Sequence, residues 1–194
     1  MAITPEPLAG LIREHRLIEA TVAETLACVR AANAAPDDAG TVNTALEQLW
    51  LLQLLLEREV ALHIEKEEQV LFPVLRQSID GLSRLVDHMI DEHDEIEARR
   101  DRLGQALAAL DQQHEEVHRL QAAVQSAAAN ARHGDIAANM RELGEKLTHL
   151  DWVFQGHFTG EEDGLFLPAE DVLSADTLAA MVERMAAIES ARPP

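Results

Sequence analysis

The sequence has little of what many binding chemistries require: one cysteine, no tyrosine, and 16 basic against 35 acidic residues in a chain of 194. The single Cys28 excludes a disulfide within one chain and any zinc or iron–sulfur site built from cysteines. A formal net charge of −19 argues against a nucleic-acid partner or an anionic membrane surface, which need clustered Lys and Arg. No apolar run of about 18 residues occurs, and the first residues lack the layout of a signal peptide. We therefore expect a cytoplasmic protein without a membrane span.

The residues that are abundant favour helices. Ala, Leu and Glu predominate, aromatic residues make up 3 %, and 47 % of the chain is hydrophobic, which indicates a folded all-α protein. Turn clusters at 34–40, 77–81 and 133–135 separate the helices, and we expect Pro168 to end the fourth and Ser174 to cap the last. The predicted helices are A (7–33), B (41–76), C (82–132), D (135–166) and a C-terminal helix (175–190).

Each of helices A to D carries an apolar stripe at alternating steps of three and four, which is the inward face of a helical bundle. We therefore predict an up-down-up-down four-helix bundle over residues 1–170. Residues 171–194 form an extra C-terminal helix that packs on the bundle, with a dimer surface as the alternative for its apolar face. The protein is then a monomer or a homodimer.

A histidine occupies one stripe position in each helix: His15, His63, His93 and His157. The chain also repeats itself, since Glu-His-x-x-Ile-Glu occurs at 14–19 and 92–97, and His-x-x-x-Glu-Glu at 63–68 and 157–162. At a rise of about 1.5 Å per residue, the distances to the turns place His15, His63 and His93 at one level of the bundle. Helix D places its histidine there too, but helix C is too long and must overhang, kink or fold back between 110 and 133.

His-x-x-x-Glu places both side chains on one face of a helix, where one metal ion can bind both. The sequence has five such pairs, whereas its composition predicts about one by chance. Glu67 and Glu161 follow His63 and His157 at consecutive stripe positions, and buried carboxylates without partners are unfavourable. Four histidines and two glutamates exceed the ligands of a zinc site, so we predict two carboxylate-bridged ions. Ligation by imidazole and carboxylate without thiolate favours iron or manganese over copper or zinc.

In this motif series the sequence resembles the hemerythrin-like, or HHE cation-binding, family over about residues 8–168. The resemblance implies a non-haem di-iron centre. Its metal ligands would be His15, His63, Glu67, His93, His157 and Glu161. The two glutamates would bridge two iron ions that also share an oxo, hydroxo or water ligand.

The sequence departs from the oxygen-carrying hemerythrins in two places. Where these have a second histidine on the third helix, this chain has Glu97, and Glu161 follows its histidine by four residues instead of five. Glu97 is therefore a candidate ligand, and so is Glu19 by internal symmetry. Otherwise both are expected to accept hydrogen bonds from ring N–H groups. Exchanging imidazole for carboxylate favours ferric iron and redox reactions over reversible oxygen carriage.

The expected function is binding of O2, NO or peroxide at the di-iron centre, and it is open whether the protein is an enzyme that reduces peroxide or NO. One alternative is an iron donor that repairs damaged iron–sulfur centres. The other is a metal or oxygen sensor, or a storage protein, without catalysis. The expected partner is a small diatomic molecule or peroxide.

Overall fold

The computed structural model describes the backbone of residues 4–123 and 129–191, and the side chains of these residues outside 109–137. The described backbone forms five helical stretches and no strand. Three of the stretches are single α-helices, and two contain π-helical turns. The elements are α1 (Leu8–Ala34); α2 (Ala39–Leu55), π1 (Leu56–Val60), α3 (Ala61–Lys66), π2 (Glu67–Leu71) and α4 (Phe72–Ser78); α5 (Ser83–Ala123); α6 (Ala129–Glu161), π3 (Glu162–Phe166) and α7 (Leu167–Val172); and α8 (Ala175–Ala191). The prediction of an all-α helical bundle with an extra C-terminal helix is confirmed.

Helix ends carry the expected turn chemistry. Asp38 precedes α2 and accepts the backbone N–H of Gly40 at 3.1 Å, which satisfies a donor of the first helical turn. Ser174 accepts the N–H of Thr177 at 3.2 Å and caps α8 as predicted. Gly81, between α4 and α5, has a φ of 91°, a conformation that favours glycine.

Two predicted helix ends are wrong. Residues 133–135 are helical inside α6, which begins at Ala129, because one interior glycine costs only about 1 kcal/mol relative to alanine and good helix formers surround it. Pro168 does not end its helix: it is the second residue of α7, directly after π3, and the helix continues to Val172. α5 ends at Ala123, 30 residues after His93, and α6 begins at Ala129, 28 residues before His157. The two helical segments between these histidines and the helix ends are therefore of similar length.

The chain divides into two compact units. One unit consists of residues 4–19, Leu55–Ile96 and 153–191. Its apolar core includes residues from the N-terminal part of α1, from α4 and from α8, such as Leu8, Leu75 and Met181. The other unit consists of Ala20–Leu54 and the described part of Glu97–Trp152, and its buried side chains include Leu49, Leu103 and Leu147.

The π-helical turns recur in both halves of the internal repeat. π2 begins at Glu67, and π3 begins directly after Glu161. In each half a proline, Pro73 or Pro168, is the second residue of the α-helix that follows the π turn. Such wide turns inside α-helices are frequent at functional sites. Within the described residues, no helix combines the length and the apolarity needed to cross a membrane.

Candidate metal centre

Six side chains with metal-binding atoms are buried together in the first unit. They come from α1, α3, π2, α5 and α6, where each takes a position on the inward stripe. Their exposed fractions are 0 % for His15, 1 % for His63, 0 % for Glu67, 2 % for His93, 1 % for His157 and 0 % for Glu161.

The six residues form two overlapping sets. Site 1 consists of His15, His63, Glu67 and Glu161, and site 2 consists of Glu67, His93, His157 and Glu161. In each set, one potential ligand atom per residue lies within 4.8 Å of all the others. Both sets therefore contain two imidazoles and the same two carboxylates.

The two shared carboxylates each turn one oxygen to either site. Glu67 Oε1 lies 3.3 Å from His63 Nε2, and its Oε2 lies 3.3 Å from His93 Nε2. Glu161 Oε2 lies 3.3 Å from His15 Nε2, and its Oε1 lies 3.4 Å from His157 Nε2. This is the arrangement of carboxylates that bridge two cations.

The other ring nitrogen of every histidine faces a second glutamate. His15 Nδ1 lies 2.9 Å from Glu162, and His63 Nδ1 lies 2.8 Å from Glu14. His93 Nδ1 lies 2.8 Å from Glu68, and His157 Nδ1 lies 3.0 Å from Glu92. Because a carboxylate accepts, these contacts assign the proton to Nδ1 and leave the Nε2 lone pair directed at the cluster.

Most of the ligand atoms that face the centre of the cluster lack hydrogen-bond partners and are suited to bind cations. Both oxygens of Glu67 and of Glu161, and Nε2 of His93 and His157, are buried without a hydrogen-bond partner. Such atoms are unfavourable unless something binds them. His15 Nε2 and His63 Nε2 lie 3.0 Å apart, close to the separation of about 3 Å for neighbouring ligands about 2.1 Å from one ion.

The pKa shifts of Glu161 and His15 are those expected where a buried cluster binds cations. Burial, and then the negative charge of Glu67, raise the pKa of Glu161 well above its usual value of 4.5. Burial, and then the close approach of the His63 ring, lower the pKa of His15 from 6.5 to about 3, so this ring is neutral and free to bind a metal. Two buried carboxylates side by side are stable in the ionised form only with positive charge between them.

Aromatic rings cover the histidines. Phe158 stacks on His15 with ring centroids 4.0 Å apart, and Phe72 stacks on His93 at 5.6 Å. Both phenylalanines are at most 2 % exposed. The cluster is thus shielded from water, which strengthens electrostatic interactions inside it.

The structure does not bring the two remaining candidates, Glu97 and Glu19, into the cluster. Glu97 is exposed and lies 3.7 Å from Arg100, and Glu19 pairs with Arg16 at 3.0 Å. Both follow the inward-facing isoleucine of their helix by one residue, a step of about 100° away from the stripe. The expectation that they otherwise accept the ring N–H groups is wrong, since other glutamates hold all four Nδ1 atoms.

Sequence reasoning missed the four acceptor glutamates although the internal repeat contains a signal for them. A glutamate precedes the histidine in helices A and C, as Glu14 and Glu92, and a second glutamate follows the ligand in helices B and D, as Glu68 and Glu162. It also missed two cations behind the acceptors of site 1. Lys66, 4 % exposed, contacts Glu14 and Glu189 at 2.6 Å each. Arg16 contacts Glu162 at 2.7 Å.

The helical bundle and the buried cluster define a class: an all-α protein that holds histidine and glutamate ligands for cations in its interior. The sequence model of the hemerythrin HHE cation-binding domain matches residues 6–109, and the chain belongs to this family. The match includes His15, His63, Glu67 and His93, whereas His157 and Glu161 lie beyond its end. A comparison with curated proteins finds no match.

Proposed function

We propose that this chain is a non-haem di-iron protein that binds O2, NO or peroxide. The observation that carries the proposal is the pair of sites that share the carboxylates of Glu67 and Glu161, each of which gives one oxygen to either site. Sharing of two carboxylates suits two ions of the same kind held side by side. A donor set of imidazole and carboxylate without thiolate favours iron, with manganese as the competing metal.

The protein's own contribution is to hold the donors ready. The Nδ1 hydrogen bonds fix the tautomer and the orientation of the four rings, and they raise the basicity of Nε2. The buried carboxylates offset the positive charge of two cations. Phe158 and Phe72 keep bulk water from the rings, which suits a small uncharged ligand such as O2 or NO. When bound, the iron pair would supply electrons and an open coordination position for that ligand.

The test is metal analysis of the full chain expressed in iron-replete medium, followed by absorption spectroscopy before and after NO or peroxide. We expect about two iron equivalents per chain and a spectral change on addition of the ligand. His157→Gln is expected to lose at least half of the iron, whereas His88→Gln, at an exposed position, keeps all of it.

Two results would contradict the proposal. One is a wild-type protein that contains less than half an equivalent of iron and takes up none when iron is supplied. The other is a loaded protein whose spectrum does not respond to O2, NO or peroxide. Preferential retention of manganese would preserve the two-ion site and reject iron as its metal.

A further inference from the structure

The two halves of the internal repeat differ in the charges behind their acceptor glutamates. Arg16 directly follows His15, and Lys66 follows His63 by three residues. At the matching positions of the second half stand Asp94 and Gly160. The repeat therefore places two cations behind site 1 and none at the equivalent positions behind site 2.

At site 1 these two basic side chains contact the glutamates that accept hydrogen bonds from the histidines. Lys66 Nζ lies 2.6 Å from Glu14 Oε1, and Glu14 Oε2 lies 2.8 Å from His63 Nδ1. Arg16 makes the same kind of link to His15 through Glu162, at 2.7 and 2.9 Å. A carboxylate that also binds a cation is a weaker acceptor for the ring N–H, so its ring is a poorer electron donor at Nε2.

Among the described residues, no lysine or arginine pairs with the acceptor glutamates of site 2. Within the described part of the chain, the ion pairs of Glu68 and Glu92 are with histidines: Glu68 with His93, and Glu92 with His157 and the exposed His88. The outer partner Glu189 does not cancel the effect of Lys66, because Glu189 is half exposed and screened by water, whereas Lys66 is buried. Arg16 is 58 % exposed and also contacts Glu19 at 3.0 Å, so its effect is smaller than that of Lys66.

We infer that the two cation sites are unequal, and that site 2 binds the first cation while site 1 binds the second more weakly. Lys66 and Arg16 act as positioning residues that set this order through Glu14 and Glu162. The inference rests on the proposed two-ion centre and adds the order and the residues that determine it. A buried unit charge within about 10 Å of an ion changes its affinity by roughly tenfold or more.

The experiment titrates the metal-free full chain with Mn2+ and follows the free ion by electron paramagnetic resonance. We expect two steps separated by roughly tenfold or more in affinity. His157→Gln removes the tighter step and keeps the weaker one, whereas His63→Gln removes the weaker step. The low-field spectrum of an isolated ion at one equivalent, followed by that of a coupled pair at two, reports the order independently of any reaction.

Charge variants test the cause of the inequality. Lys66→Met is expected to tighten the weaker step several-fold and Arg16→Gln to tighten it less, while Lys66→Arg keeps the wild-type difference. Gly160→Lys introduces the missing cation at site 2 and is expected to weaken the tighter step; a β-carbon at Gly160 meets only Met89, at 3.4 Å. Lys146→Met, the matched control on α6, leaves both steps unchanged. If Lys66→Met loses helical circular dichroism, Gly160→Lys, which leaves site 1 unaltered, decides.

Three results would overturn the inference and leave the two-ion centre standing: two equal steps, loss of the tighter step in His63→Gln with its retention in His157→Gln, or no change in Gly160→Lys. Failure of the wild-type chain to bind two ions would instead reject the proposed function, and this inference with it.

Discussion

Each central histidine is held by a carboxylate from a different helical stretch. Glu14 of α1 binds His63, Glu68 of π2 binds His93, Glu92 of α5 binds His157, and Glu162 of π3 binds His15. Each of the first four stretches thus gives one histidine and one acceptor, and the hydrogen bonds form a closed ring. The apolar stripe predicts the inner six residues because burial there has a period. It does not predict the acceptors, since each lies beside the stripe on its own helix and only the packing of another helix selects it.

Asp38 gives a residue-scale prediction that depends on pH. Its hydrogen bonds from Thr41 and Gly40 lower its pKa below the ordinary value of 3.8 in the folded state. A carboxylate with a depressed pKa adds stability above its unfolded pKa, and this is lost as the pH falls through the folded value. Asp38→Ala is therefore expected to lower the melting temperature at pH 7, by an amount that shrinks as the pH falls below 3.8 and through the lower folded pKa.

Thermal melts at several pH values check this, with the exposed neighbour Asp37→Ala as the control. A loss in Asp38→Ala that is the same at pH 7 and pH 3 would show that the charge of the cap has no part in it.

Helices of this chain are easier to predict than their ends. The stripe on A continues from Leu8 to Val29 with every position buried, because α1 has a regular period. On helix B the stripe predicts Val74 as an inward position, but Val74 is only half-buried, whereas Leu71, Phe72 and Leu75 are fully buried. The π turn at 67–71 breaks the period of 3.6 residues there, and nothing in the local sequence marks such a turn. The sequence also predicts helix ends wrongly at Gly134 and Pro168, because the helix-forming residues around them outweigh their tendency to break a helix.

Helix α8 provides a prediction at this scale. Met181 is 1 % exposed in the same core as Leu8 and Leu75, whereas the next residue, Val182, is 40 % exposed. Met181→Ala is expected to lower the free energy of unfolding by about 2–5 kcal/mol, as core truncations do. Val182→Ala, the matched control, is expected to change it by less than about 1 kcal/mol. Denaturant titrations of both variants measure the difference, and equal losses would show that α8 does not belong to the core.

Over the whole molecule, duplication and charge govern behaviour together. Two copies of one hairpin motif supply equivalent ligands, and the stripe and the repeat together predict His157 and Glu161, which lie outside the range of the family match. A formal charge of −19 also makes the metal-free protein repel itself, most of all around its buried carboxylates. Cations that bind the folded state alone therefore contribute directly to stability.

Removal of metal tests this coupling. Chelation and dialysis are expected to lower the melting temperature of the protein as purified. Addition of a divalent ion at about 100 times its dissociation constant should restore about 2.7 kcal/mol for each site. Calorimetry of both forms, with His157→Gln as the matched control that lacks part of the cluster, measures the effect. Identical melting temperatures with and without ions would mean that the cluster binds none.

The contact between His15 and Glu162 spans 147 residues of sequence. A ribosome adds that many residues in roughly ten seconds or more, and until then the nascent chain has neither Glu161 nor the fourth acceptor. A cation that reached the growing polypeptide before residue 157 would meet at most four of its six ligands. The complete set of ligands is therefore available to cations only after Glu161 and Glu162 have been synthesised.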